Sequence, residues 1–386
     1  MPKAADPYKK LNNILNMFDL KVPKSRKFTK LLKLLYTPEE AELLGHFGTP
    51  YMHMEPIGTT VRITGRNKED VEALFENMVK KGTLFFQKGD NGERLYSLPP
   101  FIPGIYEFYT MSENDPFETK KDILKLLDDY FFETFVPEAF NSSNYPWFRV
   151  LPAEHPVKRT ISIEKSVDAR TRILPFEIAS EYISSAQYIA VGDCACRDHA
   201  AMQDGKPRCD KPKDVCLVFE SVAEYWVEKG IGRRITHEEA VNVLQRSAEA
   251  GLVHCTTNNR VFGERMSGMI CNCCPCCCFI LQGVLRTRGQ QGIAKSNFQP
   301  VIKTEECNLC MACVDKCPVN ALYHHKPHKD DGSDNFIALN ESECLGCGVC
   351  VMACDNEAIQ LVKVRDTVPE IDVLHMGDRH NKERRH

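Results

Sequence analysis

The sequence predicts an α+β multidomain protein in three parts. These are a helical N-terminal module closed by a β-hairpin, a mainly helical cysteine-rich centre, and a small C-terminal domain built on a repeated cysteine pattern. Three observations carry this prediction. The chain has 386 residues, enough for two or three domains. All 19 cysteines lie from Cys194 onward. A hairpin signal, residues 84–86 and 95–98 about Asp90-Asn91-Gly92, follows two well-capped helices.

The first part is residues 1–100. Lys21, Lys24, Arg26, Lys27, Lys30 and Lys33 interleave with Leu31, Leu32, Leu34 and Leu35. This reads as a surface helix packed by its leucines, with a docking arm for an acidic partner as the alternative. Thr37 caps the next helix, with Pro38 at N1 and Glu40 at N3. Asn67-Lys68-Glu69-Asp70 opens another, with Val71, Leu74, Phe75 and Met78 on one face, and Lys81-Gly82 ends it. Helices followed by a hairpin resemble a winged helix. The second helix sets Glu69, Asp70, Glu72 and Glu76 against Lys68, Lys80 and Lys81, a poor surface for phosphates. A structural or protein-docking role is therefore expected, and nucleic-acid binding is not.

Residues 101–298 form the second part. Ile123, Leu126, Leu127, Tyr130 and Phe131 predict a helix over 122–135, with Pro137, Pro146 and Pro152 breaking up the stretch beyond it. A helix over 176–186 leads to an apolar strand at 188–191. The cysteine-rich block, 191–298, is predicted to surround a helical core, with helices at 217–229 and 238–250. Thr236 and Glu239 cap the second of these.

Residues 299–363 are the third part, and 364–386 a polar tail with a frayed end. Cys307-x2-Cys310-x2-Cys313-x3-Cys317-Pro318 is followed by Cys344-x2-Cys347-x2-Cys350-x3-Cys354, an identical spacing repeated 37 residues on. The flanks repeat too, Asn320-Ala321-Leu322 against Glu357-Ala358-Ile359. Paired zinc sites would use C-x2-C knuckles, not runs of three plus a remote fourth.

This repeat closely resembles the bacterial-type ferredoxin domain with two [4Fe–4S] clusters, and so implies a ferredoxin-like dicluster fold. In such domains the fourth cysteine of each run ligates the other cluster. The resemblance therefore implies one cluster on Cys307, Cys310, Cys313 and Cys354 and the other on Cys344, Cys347, Cys350 and Cys317. It further implies that Gly346 and Gly348 bring backbone N–H groups to the cluster sulfurs. The proline after the fourth cysteine is present as Pro318, but its counterpart is Asp355.

Ten further cysteines lie in two upstream neighbourhoods. Cys194-Ala195-Cys196-Arg197, Cys209 and Cys216 form the first, and Cys271, Cys273, Cys274, Cys276, Cys277 and Cys278 the second. Six cysteines in eight positions cannot all face one core, so metal ligation is expected. Thiolates suit zinc and iron–sulfur clusters alike. Zinc would explain Cys194, Cys196, Cys209 and Cys216 as a tetrathiolate. Beside a dicluster domain, one or two further [4Fe–4S] clusters are favoured. The partition is open: one cluster on Cys194, Cys196, Cys209 and Cys216 and another within the second run, or ligands shared between runs. Arg197 is expected to offset cluster charge. Cys255 and His254 read as core residues, and His324, His325 and His328 as a surface loop.

From residue 190 to 363 the chain resembles cysteine-rich iron–sulfur proteins of anaerobes. These combine C-x-C-R, C-N-C-C-x-C-C and a C-terminal dicluster domain; Trp147-Phe148-Arg149-Val150-Leu151-Pro152 extends the likeness weakly. The resemblance implies single-electron relay, as a subunit of or donor to an oxidoreductase complex. A reductase with substrate at an upstream site-differentiated cluster is the alternative, and a redox-sensing DNA-binding regulator a second. No phosphate-binding glycine loop, Walker motif, H-E-x-x-H or G-x-S-x-G occurs. No apolar run approaches the ~18 residues of a membrane span, and the first residues do not read as a signal peptide, so a reducing cytoplasm is expected. Ten acids against five lysines between Lys303 and Lys363 suit steering toward a basic partner patch.

Overall fold

The computed structural model describes residues 6–113, 115–157, 174–261, 268–287, 292–326 and 335–384. His328, the first five residues, Arg385 and His386 lie outside them.

The N-terminal part obeys its local signals. Helices Pro7–Leu15 and Arg26–Leu35 precede Pro38–Leu43, where Thr37 and Glu40 form both halves of a capping box. Leu31, Leu32 and Leu35 are buried, whereas Leu34 is exposed. Helix Lys68–Lys81 is capped by Asn67 and ends on Gly82 at φ 77°. Strands β1 (Glu55–Pro56), β2 (Phe85–Lys88) and β3 (Arg94–Ser97) then form a small sheet in the order β1-β3-β2.

The hairpin is not free. Tyr225, on helix Glu220–Lys229, packs its ring 5.0 Å from Phe85, 5.3 Å from Phe86 and 4.9 Å from Phe108. Its hydroxyl donates to the Leu84 carbonyl at 3.2 Å, and Lys229 donates to the Val79 carbonyl at 2.6 Å. Each ring pair adds about 1 kcal/mol beyond the area it buries.

Glu55 ties this module together. It receives His46 at 2.6 Å, His53 at 2.8 Å and the Thr60 hydroxyl at 2.6 Å. Burial pushes its carboxyl up, but these hydrogen bonds outweigh burial and hold it at about 2. A depressed carboxylate stabilises the fold above its unfolded value of about 4.3, and that stability drains away as pH falls toward 2. Glu55→Gln should therefore cost about 2 kcal/mol at neutral pH. The difference in melting temperature from wild type should close between pH 4 and 2; a gap independent of pH would contradict this account.

Helix Phe117–Tyr130 does not stop where Pro137 predicts. It passes through a wider turn, Phe131–Phe135, into helix Val136–Asn141. The wide turn and the restart put Pro137 in a first helical turn, where its missing N–H is tolerated.

The cysteine-rich block is a further correction. Its core is a sheet of seven strands: β4 (Phe148–Leu151), β5 (Ile189–Asp193), β6 (Asp214–Phe219), β7 (Arg233–Arg234), β8 (Val253–Thr257), β9 (Met269–Cys273) and β10 (Ile293–Ala294). The order is β10-β4-β8-β9-β6-β5-β7, antiparallel except for β10 with β4. Leu217, expected to begin a helix, lies in β6. Val215, Leu217 and Phe219 are fully buried and Val218 nearly so, the composition of a strand covered on both faces. The helix begins only at Glu220. Helix His237–Glu249 carries its expected Thr236–Glu239 capping box.

In the C-terminal part, β11 (Phe298–Ile302) pairs antiparallel with β14 (Ile359–Lys363), and β12 (Leu322–His325) with β13 (Phe336–Leu339). His324 and His325 are thus on a strand, not in a loop. The 37-residue repeat reappears in the backbone. Leu309, Met311 and Asn320 have φ of 57°, 66° and 54°; Gly346, Gly348 and Glu357 have 69°, 80° and 56°. The tail is not frayed through Arg384. Helix Val373–Lys382 buries Met376, Gly377 and His380, and His380 bonds the Tyr145 carbonyl at 2.7 Å. One apolar residue in that inward face was too weak a signal to read.

Candidate metal centres

The C-terminal cysteines gather in two groups. A cavity is bounded by Cys307, Cys310, Cys313 and Cys354. Burial pushes the Cys313 thiol to about 11, and the charges of Cys307, Cys354 and Cys310 add to the effect. In the second group burial pushes Cys347 to about 12, with Cys317 and Cys344 adding. Loading either group must therefore expel protons.

Backbone N–H groups are already aimed at sulfur. Ala321 donates to Cys317 at 3.2 Å and Gly346 to Cys344 at 3.4 Å. Gly346 meets the expectation made for it. Gly348 instead opens helix Val349–Met352 from a left-handed position, as Met311 opens helix Ala312–Asp315. This donor set, four soft sulfurs per group with amide donors, fits [4Fe–4S] clusters.

The two groups face different ways. Cys310 is exposed. Around the other group, Leu345 and Val349 are buried in the main core, and the Cys347 carbonyl accepts from Ala153 at 3.0 Å. Ser296 donates its N–H to the Leu345 carbonyl at 3.0 Å and its hydroxyl to the Gly346 carbonyl at 2.6 Å. A buried pair, Lys363 with Glu177 at 3.1 Å, also joins β14 to the central part.

The ten upstream cysteines divide six and four, a division that crosses both neighbourhoods. Strand alternation does the sorting. Cys271 and Cys273 share one face of β9, while Cys274 turns the other way. Pairing of Leu217 with Ile270 sets Cys216 of β6 beside Cys271. Cys194 comes just after β5 and caps helix Ala195–Asp204, whose first turn holds Cys196; Cys278 precedes helix Phe279–Thr287.

These six thiols form a closed ring. Cys194 pairs with Cys196 and Cys216, Cys216 with Cys271, Cys271 with Cys273, Cys273 with Cys278, and Cys278 with Cys196. All six line one largely apolar cavity, which Cys274 also borders, together with Tyr106, Glu107 and Phe279. The other four, Cys209, Cys274, Cys276 and Cys277, have their sulfurs within 4.8 Å of one another. The set Cys194, Cys196, Cys209 and Cys216 is not brought together as a unit.

Arg197 stands between the two sets. It is buried, donates to the Asn272 carbonyl at 3.0 Å, and leaves Nε and Nη1 without hydrogen-bond partners. Burial opposes its charge, but Cys194, Cys274, Cys216 and Cys273 hold that charge in place. The thiol of Cys194 is correspondingly pulled far down, by hydrogen bonds from Cys196 and Cys216 and then by Arg197.

Cys255 is buried as expected, yet not isolated. It bonds Cys273 of the ring and feels the charge of Cys347 across the domain boundary. His254 is a satisfied core histidine, bonded to Asn272 at 2.5 Å.

Sequence reasoning missed Glu107 and His199. Burial pushes the Glu107 carboxyl up to about 7, although the Gly104 N–H donates to it at 2.7 Å. His199, one turn beyond Cys196, faces Asp128 at 3.2 Å and its Nδ1 meets no partner. Its i+3 spacing from Cys196 was the available signal. His199 lines a polar cavity with Arg208, Cys277 and Arg286.

The family described as a 4Fe-4S dicluster domain matches residues 306–358. Ferredoxin-1 of Caulobacter vibrioides is 37% identical over 73 residues, 18% of this chain and 54% of the relative. Hydrogenase-4 component A of Escherichia coli is 31% identical over 107 residues, 26% of this chain and 47% of the relative. NADH-quinone oxidoreductase subunit I 2 of Symbiobacterium thermophilum is 31% identical over 101 residues, 22% of this chain and 42% of the relative. The chain thus spans about half the length of these relatives. No solved structure matches it. No helix among the described residues is long and apolar enough to cross a membrane.

Proposed function

Residues 306–358 being a 4Fe-4S dicluster domain, we propose that the chain relays single electrons from its surface to an iron–sulfur centre held by the six-cysteine ring. The observation that carries this is a line of thiols. It runs from the exposed Cys310 group, through the inward group of Cys344, Cys347, Cys350 and Cys317, to Cys255 and then Cys273 of the ring. Clusters at these positions would supply one-electron carriers, and the protein holds them in fixed succession. The outer group meets the redox partner, and the acidic C-terminal segment steers it.

The relatives named above include components of a hydrogenase and of an NADH-quinone oxidoreductase. The chain is correspondingly read as a subunit of or donor to an oxidoreductase, working in an anaerobic cytoplasm. The N-terminal module, whose hairpin is covered by helix Glu220–Lys229, serves docking and not nucleic-acid binding.

The test is iron and acid-labile sulfide on anaerobically prepared full-length protein. About 12 iron per chain is expected, three four-iron clusters. Cys350→Ala should then stop reduction of the ring centre through the outer cluster. Iron stopping at about 8, two cubanes, with the ring thiols open to alkylation in the folded protein, would end this reading.

A second reading is reduction of a small polar molecule at the ring. It is favoured by the polar cavity, which reaches Cys196 between His199, Arg208 and Arg286 and the carboxylates of Asp128, Asp129 and Glu133. His199→Ala should then slow turnover while leaving iron content and cluster potentials unchanged. A candidate substrate that perturbs the ring centre's spectrum would support this reading, and none doing so would remove it.

A further inference from the structure

We infer that Cys209, Cys274, Cys276 and Cys277 hold one tetrahedral zinc ion, separate from every iron–sulfur centre. Sulfur spacing is the first argument. Cys277 lies 3.9 Å from Cys209 and 3.7 Å from Cys276, and all four sulfurs fall within 4.8 Å. Thiolates at about 2.3 Å from a tetrahedral zinc ion stand about 3.8 Å apart. A four-iron cubane places its irons between the thiolates and needs a wider cage.

The other thiol groups of the protein supply a ruler for that wider cage. Among the described residues, no three of the eight dicluster-domain cysteines come within 4.8 Å of one another, and no three of the six ring cysteines do. Among the described residues, only the Cys209 set closes to single-ion size.

Charge is the second argument. Four thiolates around a divalent ion leave two negative charges. Two arginines stand beside the set: Arg197 interacts with Cys274, and Arg208 with Cys277. Arg208 also donates to the Cys276 carbonyl at 3.3 Å and is braced by Asp204 at 2.7 Å.

Connectivity gives the ion its purpose. Cys209 lies in residues 205–213, which form neither helix nor strand, whereas the other three ligands sit in the turn after β9. The ion pins that loop over the turn. Cys277 and the ring's Cys196 border the same cavity, so the pinned loop forms part of its wall. With all four positions filled by protein, the site is structural and not catalytic. The inference does not depend on the electron-relay reading, because zinc and iron are counted separately.

The experiment is metal analysis of the full-length protein, purified anaerobically from cells supplied with iron and zinc. About one zinc per chain is expected. The pair Cys209→Ala and Cys276→Ala should lose it with iron and sulfide unchanged, whereas Cys209→His, which keeps a fourth ligand, should retain it. Should the double variant fail to fold, wild type treated with a mercurial thiol reagent and a zinc-sensitive dye gives the same reading. Stoichiometric zinc release before iron loss supports the site. A zinc-free wild type overturns the inference. So does a double variant that loses about four irons, the content of one cubane.

Discussion

Gly346→Ala is expected to destabilise the protein by about 3 kcal/mol and to empty the inner cluster group of the C-terminal domain. Gly346 has φ 69°, and a methyl group there would stand 2.1 Å from the Phe298 carbonyl oxygen and 2.3 Å from the Ser296 hydroxyl. Neither neighbour can yield easily. Phe298 lies in β11, paired with β14, and Ser296 is bonded to Leu345 and Gly346. The displaced segment carries Cys344 and Cys347, so both thiols move with it.

Gly348→Ala is the matched control. Its φ is 80°, but the nearest atom to an added methyl is a Leu361 side-chain carbon at 3.4 Å. The equivalent position in the first repeat is already a methionine, Met311 at φ 66°. A cost of about 1 kcal/mol, the left-handed penalty alone, is expected. Melting temperature and sulfide content measure both. Equal behaviour of the two variants would show that left-handed strain, and not the approach of residues 296–298, explains Gly346.

Arg197→Leu is the second large effect. The side chain is 4% exposed and sits among four cysteines of both upstream sets. Leucine fills much of the volume but removes the cation, leaving thiolate charge uncompensated in a buried site. Loss of one partner from such a site costs about 3–5 kcal/mol. The expected result is a much lower melting temperature. In any fraction that folds, the centre proposed for the ring should fall in potential while clusters of the C-terminal domain keep theirs. Arg197→Lys should restore part of the stability, since it returns the charge but not the fork that reaches the Asn272 carbonyl. A uniform shift of all potentials would contradict this role.

Much of the local structure was legible because its causes are local. Thr37 with Glu40, Thr236 with Glu239, Asn67 and Gly82 act within one helical turn, and the structure shows each doing so. The failures share a cause as well. Residues 214–219 became a strand because neighbours cover both of its faces. Pro137 failed to stop a helix because a wide turn absorbed it. The C-terminal helix docks through three inward residues whose pattern is barely apolar.

The sequence by itself determined the C-terminal dicluster domain, because a spacing repeated 37 residues apart acts through short loops. It also raised the expectation of metal ligation upstream, where six cysteines fall within eight positions. Only the tertiary structure decided which of those ten belong together. Cys271 and Cys274 are three residues apart and border the same cavity, yet the turn after β9 brings only Cys274 within 4.8 Å of Cys209, Cys276 and Cys277. Cys194 and Cys278 are 84 residues apart, yet they line one ring. Cage size, which separates a single ion from a cluster, depends on how distant strands and turns pack. One-dimensional spacing does not contain it.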